Sequence, residues 1–127
     1  MLTWPPAVRV FVHTTPTDMR RSFDRLACLV QEVLHQDPFS GHLFVFVNRR
    51  GDRMKILFWD RSGYALFYKR LEEGVFHVPS PDAGSVAIDV PRLTLLLEGR
   101  DLAGAQQPRR FTRPPRATGR IVYFSGR

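Results

Sequence analysis

Apolar and polar positions follow two rhythms along this chain, and the change from one to the other marks out its elements. Val8-Arg9-Val10-Phe11-Val12-His13 is β-branched and aromatic, and the turn formers Thr14-Thr15-Pro16-Thr17-Asp18 follow it, which predicts a strand running into a loop. Phe23, Leu26, Ala27, Val30, Val33 and Leu34 then recur at spacings of three and four. A helix is expected there, with Thr17 or Asp18 capping its start and Asp37-Pro38 stopping it. From Leu43 the period changes. Residues 43–48, 53–60, 64–70 and 75–78 are strand-like and are separated by Arg49-Arg50-Gly51-Asp52, Arg61-Ser62-Gly63 and Glu72-Glu73-Gly74. These short Gly-containing turns predict an antiparallel meander. A Pro-rich loop over 79–84, a further short strand over 85–89 and a brief helix with Leu93, Leu96 and Leu97 on one face, closed by Gly99, complete the pattern.

Past Ala103 the periodicity lapses among Gly104, Pro108, Pro114 and Pro115, so a flexible basic linker is expected, with Ile121-Val122-Tyr123-Phe124 as a candidate late strand. The order of elements gives an α+β fold: an antiparallel sheet of about five strands, one long helix packed on a face, and a short C-terminal helix. One domain is expected over 1–102, followed by a basic tail over 103–127.

Composition narrows the class. A chain of 127 residues supports a single core. Its apolar runs fall well short of the roughly 18 residues of a membrane span, and its start lacks the basic and apolar regions of a signal peptide, so a cytoplasmic protein is expected. The lone Cys28 excludes an internal disulfide and a cysteine-cluster metal site. Net charge is +7, but residues 1–99 hold 12 basic and 11 acidic side chains, a balance of +1. The remaining +6 comes from seven arginines against Asp101 in residues 100–127. Of the 19 basic residues 17 are arginine, the side chain suited to bidentate phosphate contacts. Arg, Pro, Ala and Gly are also what GC-rich codons encode, which offers a compositional origin for the tail.

Catalytic patterns are weak. Asp18, Asp24, Asp37, Asp52, Asp60, Glu72 and Glu73 are read as caps and turn residues before they are read as ligands of a metal nuclease. His13, His35, His42 and His77 lack zinc spacing, and neither a phosphate-binding glycine loop nor a nucleophile elbow is present. No enzyme activity, catalytic residue, metal or cofactor is expected. The basic residues carry more. Arg20 and Arg21 fall in the expected first helical turn, where the dipole disfavours cations; Arg20 inclines to a phosphate site and Arg21 to local pairing. On the strand from Arg53, alternation sends Met54, Ile56 and Phe58 to the core and Arg53, Lys55, Leu57, Trp59 and Arg61 to the opposite face, a mixture suited to nucleic acid.

Pro16-Thr17-Asp18-Met19-Arg20-Arg21, Phe23-Asp24, the run from Asp37 to Phe46, Gly51-Asp52-Arg53-Met54-Lys55-Ile56-Leu57, Trp59-Asp60, Lys69-Arg70-Leu71-Glu72 and Leu95-Leu96-Leu97-Glu98-Gly99 together resemble one bacterial transposon family. It is the TnpB accessory protein, the second open reading frame of insertion sequence 66 type elements. The resemblance runs from about Ala7 to Leu102. It implies an accessory protein of transposition working beside a separate transposase, with DNA or that transposase as partner, and brings no catalytic or binding residues with it. The candidate nucleic-acid contacts are Arg20, Arg21, Arg49, Arg50, Arg53, Lys55, Trp59, Arg61, Arg109, Arg110, Arg113 and Arg116. The alternative is a protein-interaction module that binds the transposase or self-associates without touching DNA.

Overall fold

Two tight turns set the register of the central strands. Residues 48–52 close on themselves through the Gly51 N–H, which donates to the Asn48 carbonyl at 3.1 Å, with Gly51 at φ +81°. Residues 60–63 close through the Asp60 N–H on the Gly63 carbonyl at 2.9 Å, with Arg61 at φ +81°. Between these turns the computed structural model, which describes residues 8–78 and 84–99, places β2 (Leu43–Val47), β3 (Arg53–Trp59) and β4 (Tyr64–Arg70) as an antiparallel meander. With β1 (Val10–His13) and β5 (Ser85–Ile88) they form a five-stranded sheet in the order β4-β3-β2-β1-β5.

The α+β class holds, with two differences. β1 and β2 are parallel, Val10 opposite Leu43, whereas β5 returns antiparallel to β1, Val10 opposite Ile88. A parallel neighbour requires a crossover, and α1 (Phe23–Glu32) supplies it. Residues 75–78 are not a strand: Phe76 is buried and its N–H donates to the Gly51 carbonyl at 2.7 Å, so the segment crosses the end of the β2–β3 hairpin.

The helix also starts later than Thr17 or Asp18. Ser22 occupies the N-cap position with no side-chain cap bond, and the residues before it make other contacts. The Thr17 N–H donates to the Val47 carbonyl at 2.8 Å, and Asp18 heads a separate turn that takes the N–H of Arg21 at 3.1 Å. At the other end His35 adopts φ +56°, and the chain turns before Asp37-Pro38. The second helix, α2 (Val90–Leu97), is capped by the Asp89 carboxylate, which accepts from the Arg92 N–H at 2.9 Å, and ends at Gly99, φ +78°.

Both faces of the sheet are apolar. Leu26, Val30 and Leu34 form one cluster with Phe11, Phe44, Phe46, Leu57 and Leu66. On the opposite face Leu93 and Leu96 join Val10, Val12, Val45, Met54, Ile56 and Phe58. Burying side chains of this size contributes about 1.5 to 3 kcal/mol each. The candidate tail over 103–127, with Arg109, Arg110, Arg113, Arg116 and the segment 121–124, lies outside the described residues. No helix among the described residues is long and apolar enough to cross a membrane.

One cation is built into the interior. Lys55 is 6% exposed, and its Nζ donates to the carbonyls of Met19 at 2.7 Å and Arg21 at 2.8 Å. It also stands 4.9 Å from the centre of the Tyr68 ring. Those two carbonyls precede the helix and have no place in its ladder, so the ammonium meets a need that the turn creates. Replacing Lys55 with Met should therefore cost about 2 to 4 kcal/mol, from two lost charge-assisted bonds and two stranded acceptors. Urea unfolding should show it, while Arg49→Ala, at an exposed tip, should move the midpoint little.

Candidate nucleic-acid interface

The turn held by Lys55 stands across from the tip of the β2–β3 hairpin, and the two enclose an open cleft of about 560 Å³. Pro16, Thr17, Asp18, Met19 and Arg21 line one wall. Asn48, Arg49, Arg50, Asp52 and Arg53 line the other. The hairpin wall is rigidly tied. Asn48 donates from Nδ2 to the Asp52 carboxylate at 2.8 Å and accepts the Arg53 N–H on Oδ1 at 3.0 Å. That bond from Asn48 holds the Asp52 carboxyl below its ordinary range, with smaller help from Arg50 and Arg53, so Asp52 stays ionised as a hairpin tie. Arg53 donates from Nη1 to the Tyr68 hydroxyl at 3.2 Å.

Four arginines thus line one concavity, Arg21, Arg49, Arg50 and Arg53, with Arg49 and Arg50 exposed. The other candidates are placed elsewhere. Arg20 and Arg21 precede α1 instead of lying in its first turn. Arg20 makes a two-pronged contact to Asp18, Nη2 to Oδ2 at 2.8 Å and Nε at 3.1 Å, whereas Arg21 lines the cleft. Lys55 is buried beneath the cleft wall, its ammonium engaged by backbone. The face expected to stay open on β3 is covered: Leu57, between Lys55 and Trp59, is fully buried in the α1 cluster.

Trp59 and Arg61 sit at the other end of β3, about 20 Å from Arg53 at the usual strand rise. There Trp59 meets Tyr64 edge to face, with centroids 5.2 Å apart. Pro16, Thr17 and Asn48 are cleft residues that sequence reasoning passed over; their signal was only the turn chemistry assigned to the loops around them. His13 was also passed over as an interior group. It is 6% exposed, its Nδ1 has no partner among the described residues, and burial lowers its pKa, helped by the charge of Arg21 and opposed by a backbone hydrogen bond involving Gly84. Among the described residues no cluster of three or more His, Cys, Asp or Glu is placed to hold a metal.

A family model described as IS66 Orf2 like protein matches residues 8–107, which takes in the cleft, the sheet and both helices. The chain belongs to the IS66 Orf2-like family. Membership gives this Orf2-like chain a transposition-associated accessory role. It is 44% identical over 106 residues to the uncharacterized protein y4hO of Sinorhizobium fredii (strain NBRC 101917 / NGR234), covering 84% of this chain and 92% of that one. It is also 38% identical over 94 residues to the uncharacterized protein y4jC of the same organism, covering 74% and 80%. No solved structure matches this Orf2-like protein.

The Asp18 turn offers a direct probe of the cleft wall. The side-chain bond from Arg20, aided by the Arg20 N–H, brings the Asp18 carboxyl from 3.8 to about 2. A depressed carboxyl contributes its stabilisation above the ordinary value and loses it as pH falls through the lowered one. A carboxyl carbon titration followed by NMR should therefore give a midpoint of about 2 for Asp18, returning toward 3.8 in Arg20→Gln. The Arg20 amide should gain exchange protection above that midpoint and lose it below.

Proposed function

We propose that this chain is a non-catalytic accessory factor of IS66-type transposition that binds DNA through its arginine cleft, in partnership with the element's transposase. The observation that carries the reading is the convergence of Arg21, Arg49, Arg50 and Arg53 on one open cleft. Its two acids are already engaged, Asp18 with Arg20 and Asp52 with Asn48. Guanidiniums bind phosphate oxygens in pairs, and a hairpin tied by Asn48 lowers the entropy lost on binding. Arg109, Arg110, Arg113 and Arg116 add sequence-independent attraction to the polyanion.

Fluorescence anisotropy with duplex and single-stranded DNA tests this. Affinity should fall log-linearly with salt, and Arg49→Ala with Arg50→Ala should flatten the slope by about one unit per lost phosphate contact. Arg61→Ala, at the far end of β3, should leave the cleft's contribution intact. Incubating the complex with magnesium or manganese should leave the DNA uncut. Absence of binding at low salt would transfer the function to the transposase-binding or self-associating module.

A further inference from the structure

The far end of the sheet carries a surface that the cleft does not use. Trp59 and Tyr64 close the β3–β4 register, and Phe39, on the loop after α1, packs on both. Its ring stacks on Tyr64 with centroids 5.6 Å apart and meets Trp59 edge to face at 5.0 Å. Aromatic side chains in mutual contact ordinarily belong to a core, yet Phe39 is 57% exposed. A large apolar ring held in place and left open is a surface built to be covered.

Carboxylates rim it. The Asp37 carboxylate accepts the Phe39 N–H at 2.9 Å and so fixes the loop that delivers the ring. Asp60 lies in the turn between Trp59 and Tyr64, with Arg61 beside it. Asp24, on the first turn of α1, faces the same site: after burial, the charges of Asp24 and Asp37 are the main influences raising the Tyr64 phenol. Among the described residues, no ion pair engages Asp24, Asp37 or Asp60. Such a rim repels phosphate. It attracts arginine twice, through the carboxylates and through the ring faces, on which a planar guanidinium stacks.

The chain itself carries the matching group within reach. Gly99 lies beside Leu71 and the Val75 carbonyl, at the opposite end of β4 from Tyr64, about 23 Å away at the usual strand rise. Arg109 lies ten positions after Gly99, and an extended chain of that length spans about 33 to 36 Å. Among the described residues β4 is an edge strand with no strand beyond it. Arg109-Arg110-Phe111-Thr112-Arg113 then offers three guanidiniums and a ring to an aromatic patch with a net negative rim.

We infer that the arginine-rich segment around Arg109, Arg110 and Arg113 of this chain docks intramolecularly on the Phe39, Trp59 and Tyr64 patch. The contact is independent of the cleft and stands whether or not the cleft takes DNA. It gives the tail a place on the body when no polyanion competes for its arginines.

The only cysteine in the chain makes the test direct. Cys28 is exposed on α1, the helix that packs against β3 and β4. A nitroxide on Cys28 of the full chain should reduce the NMR intensities of the amides of residues 109–113 several-fold at low salt. High salt should restore them, and so should Asp37→Asn with Asp60→Asn, a variant whose sheet amide shifts report that the fold is kept. Full intensity at low salt would overturn the inference, as would broadening indifferent to salt and to the two carboxylates. A mixture of spin-labelled protein with isotope-labelled Cys28→Ser protein isolates contacts between molecules. Broadening of the same size in that mixture would overturn the intramolecular docking and assign the patch to the tail of a second copy.

Discussion

A buried ammonium organises the cleft end of this protein. Lys55 leaves a central strand on the face that α1 covers and spends its charge on the carbonyls of Met19 and Arg21, residues that belong to no helix and no strand. Without that donor the turn would strand two acceptors against an apolar cluster, a cost of about 1 to 3 kcal/mol each. With it, the turn is anchored to the sheet, α1 begins at Phe23, and the turn becomes one wall of a cleft whose other wall is the β2–β3 hairpin. The chain has only one other lysine, and it works in a similar way: Lys69 donates to the Leu97 carbonyl at 2.7 Å and ties the end of α2 to β4. A compact ammonium at the end of a flexible stem fits between carbonyls where a planar guanidinium does not. Lysine here is an internal tie, and arginine is the residue left to the surface.

The sheet thereby has two chemically distinct ends. At one, Arg21, Arg49, Arg50 and Arg53 face a common cleft, with the nearby acids paired or tied into the hairpin. At the other, Phe39, Trp59 and Tyr64 form an open aromatic surface edged by carboxylates. The helix between them prevents the two from merging into one long binding face along β3, since Lys55 and Leu57 are buried beneath it. A body with a balance of only +1 over residues 1–99 can still present a basic site, because its charges are sorted by position.

Much of the architecture was legible in the chain. The four-residue spacing of Leu26, Val30 and Leu34, the glycine turns at Gly51 and Gly63, and the Asp89 to Gly99 helix all correspond to observed elements, because each depends on contacts within a few residues. The family was legible too, since its motifs are runs of adjacent residues and the matched span, 8–107, is nearly the one those runs outline. The candidate site was legible only in part. Arg21, Arg49, Arg50 and Arg53 were named but not known to meet, while Lys55, Trp59 and Arg61 were grouped with them by strand alternation and closeness to one hairpin in sequence.

Alternation states which residues share a face and is silent on what covers that face. An antiparallel meander is usually open on one side, and the parallel step from β1 to β2 is what brings a helix across this one. That step is a pairing between residues more than thirty positions apart, Val10 with Leu43, and no local pattern encodes it. Local periodicity and turn chemistry therefore settled most of the elements and their order, and runs of adjacent residues carried the resemblance to the family. Tertiary structure alone decided which cation is buried as a tie, which arginines share a cleft, and which aromatic rings stay exposed, because each outcome depends on which distant segment occupies the space above a side chain.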